Sequence, residues 1–130
     1  MLYPINEIFY SLQCEGYHTG KPVVFIRLAG CNLRCEWCDT DYSEKMKMTE
    51  DEIILSVNEL WKKANLIIIT GGEPTIHNLE PLLKRLEMET PAVIAMETNG
   101  TKPSVLMELK ESDLVDWITV SPKLALFSTA

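Results

Sequence analysis

The apolar residues of this chain fall into two kinds of run that alternate along it. Continuous apolar stretches occur at Pro22-Val23-Val24-Phe25-Ile26-Arg27-Leu28-Ala29, at Leu66-Ile67-Ile68-Ile69-Thr70, at Ala92-Val93-Ile94-Ala95-Met96 and at Val115-Asp116-Trp117-Ile118-Thr119-Val120. Short, apolar and bounded by Gly, Pro or polar turns, they predict strands, the first of them buried on both faces and the second buried as well. Between them the apolar residues recur at helical spacing. Thr49-Glu50-Asp51-Glu52 is a capping box, and it opens a helix with Ile53, Ile54, Val57, Leu60 and Trp61 on one face. Lys62 and Lys63 suit its C-terminal dipole. Asn78 is placed to cap a second helix running to about Met88, with Leu79, Leu82, Leu83 and Leu86 inward. About two turns of helix follow Pro103, burying Val105, Leu106 and Leu109. Residues 1–21, with Gly16, Gly20 and the polar stretch Ser11-Leu12-Gln13-Cys14-Glu15-Gly16, read as irregular.

The resulting order, βαβαβαβ, implies an α/β fold with a parallel sheet and right-handed crossovers. Such sheets bind ligands beyond the carboxyl ends of their strands. Each predicted strand ends in a conspicuous polar segment. The first runs into Gly30 and Cys31-Asn32-Leu33-Arg34-Cys35-Glu36-Trp37-Cys38, and the second into Gly71-Gly72-Glu73-Pro74. The third runs into Glu97-Thr98-Asn99-Gly100 and the fourth into Ser121-Pro122-Lys123. Four strand ends aimed at one side of a sheet describe a site.

Composition narrows the classes. At 130 residues, 46% hydrophobic and 24% charged, the chain suits one globular domain with a real core. A net charge of −7 argues against a nucleic-acid surface, which needs clustered Lys and Arg. The segment Met1–Glu7 lacks the pattern of a signal peptide. No apolar run approaches the ~20 residues that span a bilayer. With four cysteines and no export signal, metal ligands or free thiols are expected rather than disulfides, in a cytoplasmic protein.

The spacing C-x3-C-x2-C at Cys31, Cys35 and Cys38 carries the most specific chemistry. A structural zinc site usually takes four protein ligands, and Cys14 could be the fourth. An iron–sulfur cube held by three thiolates instead keeps one iron open to a further ligand. Trp37 is a loop aromatic that could pack over such a cluster. Gly71-Gly72-Glu73-Pro74 is either a strand-ending turn or a place where two glycines let a ligand approach the backbone, with a carboxylate for an ammonium group. Arg27 interrupts an apolar strand, so it needs an internal ion pair or an anionic ligand. Ser121-Pro122-Lys123 offers a hydroxyl and a cation on a rigid turn. Asp39, Thr40 and Asp41 are hard oxygen donors suited to Mg²⁺ or to a capping role. His18 and His77 lie in loops without a visible partner.

Taken together, Pro4-Ile5-Asn6-Glu7, Leu12-Gln13-Cys14-Glu15-Gly16, Phe25-Ile26-Arg27-Leu28 and the run from Cys31 through Thr40 resemble the 7-carboxy-7-deazaguanine synthases, a family of radical S-adenosylmethionine enzymes. Thr70 through Pro74, Glu97 through Gly100 and Ser121 through Lys123 continue the resemblance. It implies a partial (β/α) barrel with parallel strands and helices on the outer face. The implied activity is the radical ring contraction of 6-carboxy-5,6,7,8-tetrahydropterin to 7-carboxy-7-deazaguanine with loss of ammonia, in queuosine and 7-deazapurine biosynthesis. By position, Cys31, Cys35 and Cys38 would hold a 4Fe–4S cluster that generates a 5′-deoxyadenosyl radical. Trp37, Cys38, Asp39, Gly72, Glu73, Ser121, Pro122 and Lys123 would bind S-adenosylmethionine. Leu12, Gln13, Cys14, Arg27 and Thr70 would line the pterin pocket, and Thr40 would hold Mg²⁺. The family also implies an electron donor such as flavodoxin, a homodimer, and no direct contact with nucleic acid or membrane. The alternatives are an activating enzyme for a glycyl-radical protein and a non-catalytic iron–sulfur or zinc module. Two departures stand out. Cys14 occupies a glycine position of the family, and the chain stops seven residues after Lys123, where family members continue. A single domain over residues 1–130, shortened by its C-terminal strands, is therefore expected.

Overall fold

A computed structural model describes residues 1–13, 20–30, 43–60 and 64–121. Its strands are β1 (Leu2–Leu12), β2 (Pro22–Leu28), β3 (Met46–Thr49), β4 (Leu66–Gly71), β5 (Val93–Thr98) and β6 (Trp117–Val120). Its helices are α1 (Glu50–Leu60), α2 (Glu80–Glu89) and α3 (Pro103–Glu111), with a 3₁₀ turn at Pro74–Ile76. The four expected strands are β2, β4, β5 and β6, and they pair in parallel as expected.

The sheet is larger than the periodicity indicates. Among the described residues it has six strands, in the order β3-β1-β2-β4-β5-β6, and β1 lies antiparallel to both β2 and β3. The expectation of an irregular segment over residues 1–21 therefore fails for Leu2–Leu12. A register shift between Ile5 and Glu7 explains the failure. Tyr3 and Ile5 face the main core, and after the irregularity Ile8 and Tyr10 do, so the period-2 pattern changes phase midway. Pro4 further argues against a strand by sequence rules.

The two faces of the sheet differ. On one, Val24, Ile26, Leu28, Ile67, Ile69, Ile94 and Met96 pack against the apolar stripes of α1, α2 and α3. The capping box at α1 forms as predicted, with Thr49 N donating to Glu52 Oε1 at 3.1 Å and Glu52 N donating to Thr49 Oγ1 at 3.2 Å. Ile53, Ile54 and Val57 are buried beneath it. The expected helical positions Trp61, Lys62 and Lys63 lie outside the described residues. For α2 the cap is Leu79 rather than Asn78, without a side-chain bond, and Pro81 takes the first turn, where its missing N–H costs nothing. Leu82, Leu83 and Leu86 are fully buried.

The opposite, inner face carries Val23, Phe25, Leu66, Ile68 and Ala95 in a second cluster to which no described helix contributes. Strand alternation and register put Arg27, Thr70 and Glu97 on this same face, one level closer to the carboxyl ends. Gln13 Nε2 donates to Glu97 Oε2 at 2.7 Å. Between them lie β2 and β4, a span of about 14 Å in a flat sheet, so the sheet and the chain leaving β1 must curl inward. That curl is the start of a barrel wall.

Candidate active site

The carboxyl ends of β2, β4, β5 and β6 are laced to one another by hydrogen bonds. Ala29 N donates to Pro4 O at 2.9 Å, and Glu73 N donates to Gly30 O at 2.9 Å, joining the turn after β4 to the exit of β2. Ser121 N donates to Thr98 O at 2.9 Å, joining β6 to β5. Between β4 and β5 the link is the Glu73 side chain, which is completely buried. Its Oε1 accepts from Asn99 N at 2.7 Å. Its Oε2 accepts from Thr98 Oγ1 at 2.6 Å, from Thr75 N at 3.1 Å and from Thr75 Oγ1. Glu73 thus caps the 3₁₀ turn of its own segment and clamps the next strand end.

Gly71 has φ +149°, and a Cβ there would lie 2.4 Å from Leu28 O. Only glycine lets β4 end so close to β2. Asn99 Oδ1 accepts from Thr101 N at 3.1 Å and from Thr101 Oγ1 at 2.7 Å, which fixes the turn after β5.

Arg27 faces inward beside Thr70, its register partner on β4. The sequence leaves open an internal ion pair or an anionic ligand. Its contact with Glu7 is 3.8 Å long, with the Glu7 side chain 55% exposed, so this pair adds little. The guanidinium sits 5.2 Å over the Phe9 ring, and Phe9 stacks on Phe25 at 5.0 Å. The stack orients a fork of donors without consuming it.

Of the residues expected at the site, the structure brings Arg27 and Thr70 together on the inner face, with Gln13 tied to Glu97. Leu12 ends β1 exposed, Gly72 and Glu73 form the turn after β4, and Ser121 follows β6. Cys14, Cys31, Cys35, Trp37, Cys38, Asp39, Thr40, Pro122 and Lys123 lie outside the described residues. Sequence reasoning named Glu7, Glu97 and His77 without giving any of them a role, and passed over Phe9. Placing residues 1–12 in a strand brings out Glu7 and Phe9, which then oppose Arg27 and Phe25 in register. His77 has a partner after all, because its Nε2 lies 2.8 Å from Ala29 O.

A curled sheet whose strand ends form one rim, with three thiols two residues and more beyond Ala29, has the donor chemistry of a cluster-binding domain. The radical SAM superfamily model matches residues 25–124, and the chain belongs to that superfamily. Within it, the chain is similar to the 7-carboxy-7-deazaguanine synthase of Bacteroides thetaiotaomicron, 50% identical over 95% of this chain and 62% of the relative. It is also similar to that of Buchnera aphidicola subsp. Schizaphis graminum, 40% identical over 95% of this chain and 64% of the relative. The crystal structure of QueE from Escherichia coli superposes with a TM-score of 0.75 at 34% identity, covering 95% of this chain and 61% of that one. The chain therefore spans less than two thirds of the length of these relatives.

The superfamily implies a 4Fe–4S cluster and S-adenosylmethionine. The donor set of three cysteines fits such a cluster with one iron left open. Among the described residues, no helix is long and apolar enough to cross a membrane.

Proposed function

We propose that this chain is the cluster-bearing portion of a 7-carboxy-7-deazaguanine synthase, acting on 6-carboxy-5,6,7,8-tetrahydropterin. The observation that carries the reading is the inner face at the strand ends, where Arg27, Thr70 and the Gln13–Glu97 pair converge. Its support from outside is the similarity to named synthases over 95% of the chain. When bound, the cluster and S-adenosylmethionine would supply the radical chemistry. The chain's own residues bind and orient.

Arg27 grips the substrate carboxylate, a task suited to a stacked, planar guanidinium. Thr70, Leu12, Gln13 and Cys14 line the same pocket. Cys31, Cys35 and Cys38 would hold the cluster, and Thr40 would hold Mg²⁺. Trp37, Cys38, Asp39, Gly72 and Ser121 through Lys123 bind S-adenosylmethionine. Glu73 serves that site through the backbone it clamps, because its carboxylate already accepts four hydrogen bonds within the chain. Residues 1–130 form one radical S-adenosylmethionine domain of a protein that works in the cytoplasm, as a homodimer, with a reductant such as flavodoxin.

The test is anaerobic reconstitution with iron and sulfide. Incubation with dithionite, S-adenosylmethionine, Mg²⁺ and the carboxypterin follows, alongside equilibrium binding of the carboxypterin. Formation of 7-carboxy-7-deazaguanine, or Arg27-dependent binding of the carboxypterin by the loaded protein, supports the reading. A loaded protein that binds S-adenosylmethionine but neither binds nor converts the pterin overturns it.

A further inference from the structure

Resting on the reading of Cys31–Cys38 as the cluster loop, we propose that His77 is a positioning residue that sets the direction in which that loop leaves β2. The last two residues before Cys31 are held at three backbone atoms. Ala29 N donates to Pro4 O at 2.9 Å, Gly30 O accepts from Glu73 N at 2.9 Å, and Ala29 O lies 2.8 Å from His77 Nε2. A carbonyl oxygen can only accept, so Nε2 carries the hydrogen. This is the one of the three bonds that comes from a side chain, and it arrives from 48 residues downstream.

The support behind the imidazole is itself fixed. His77 N donates to Pro74 O at 3.1 Å, closing the 3₁₀ turn that Glu73 caps. Ile76 Cδ1, on that turn, would lie 3.6 Å from a Cβ at Gly30, so turn and loop base pack against each other. Gly30 sits at φ +87°, where the chain changes direction immediately before the first thiolate. A rotation at this point swings everything that follows, as a hinge swings a lever. Fixing Ala29 O therefore fixes the bearing of Cys31. Groups that orient ligands from behind typically change metal affinity 10–100-fold when removed (about that range for direct partners). The effect through one intervening residue is expected at the low end.

Two substitutions decide the matter. His77→Leu keeps bulk but cannot donate, whereas His77→Gln can place an amide N–H near the position of Nε2. In the iron-free chain, His77→Leu should speed amide hydrogen exchange at residues 29–31 about fivefold, the equivalent of one neutral hydrogen bond. Exchange within β4 and β5 should stay unchanged. His77→Gln should restore most of the protection. After reconstitution, His77→Leu should lose cluster iron on gel filtration about tenfold faster than the parent, and its reduced-cluster EPR signal should broaden. A long-range ¹H–¹⁵N spectrum of the parent should show the Nε2–H form of His77. Unchanged exchange at residues 29–31 in His77→Leu overturns the proposal, as does an Nδ1–H tautomer or a glutamine variant no better than leucine. If His77→Leu does not fold, the tautomer and the glutamine variant still decide. No readout involves pterin, so this proposal and the substrate assignment fail separately.

Discussion

The buried carboxylate of Glu73 shows how much a single side chain determines at the site. Gly71-Gly72-Glu73-Pro74 was legible as the turn that ends an apolar strand. What the sequence could not show is that Glu73 faces Thr98 and Asn99, because nothing local specifies a partner 25 or 26 residues away. Glu73→Gln should be costly whichever way the amide turns. One orientation points NH₂ at Asn99 N–H and the other points it at Thr75 N–H. A stranded buried donor costs about 1–3 kcal/mol, and a lowered urea midpoint with unchanged slope would register it. A second residue gives a pH prediction. Burial, with Glu50 3.4 Å away, pushes the Tyr3 hydroxyl from 10.0 up to about 12. Between those values the unfolded chain releases a proton that the folded chain keeps. Tyr3 thus contributes its full stability below pH 10.0, and the contribution falls as pH rises toward about 12. Urea unfolding across that range should lose stability more steeply in the parent than in Tyr3→Phe.

At the scale of elements, the strands and helices that carry strong patterns were readable, and the ones that mix signals were not. Ile67, Ile68 and Ile69 leave no choice for β4, and Thr49 with Glu52 marks where α1 begins. β1 escaped because its register irregularity and Pro4 broke the alternation, and the four-residue β3 is too short to show a period. Missing β1 also hid the Arg27–Phe9–Phe25 stack, which needs β1 beside β2. At the junction of β2 and β4 the backbones leave no room for a side chain at position 71. Gly71→Ala would drive a methyl into Leu28 O at 2.4 Å and force the residue into a φ it disfavours. We expect it to lower the unfolding free energy by about 3 kcal/mol or more, as backbone strain and displaced pairing combine. A melting curve is sufficient to measure it. An equally stable Gly71→Ala protein would mean that the strands part more easily than their geometry implies.

Across the whole molecule, the inner face gathers side chains as far apart in the sequence as Gln13 and Glu97, 84 residues, with Arg27 on β2 and Thr70 on β4 between them. Strand ends converging on one side were predictable from βαβ alternation alone. The inward curl was not, since it depends on the antiparallel strand and the Gln13–Glu97 bond. Because Arg27 is held by stacking and one long ion pair, Arg27→Ala should leave cluster iron content intact. On the proposed reading of the inner face, it should weaken carboxypterin binding about 10–100-fold, the value of a lost charge-assisted bond. Titration of the loaded protein with the pterin measures this, and loss of the cluster instead would make Arg27 a structural residue. The strand order β3-β1-β2-β4-β5-β6 has one more consequence. As the polypeptide emerges from the ribosome, β2 meets β1, β3 takes the other side of β1, β4 adds to β2, β5 to β4 and β6 to β5. No strand has to be inserted between two that are already paired. Each one finds its template waiting, so the sheet can grow vectorially during translation, N-terminal strands first.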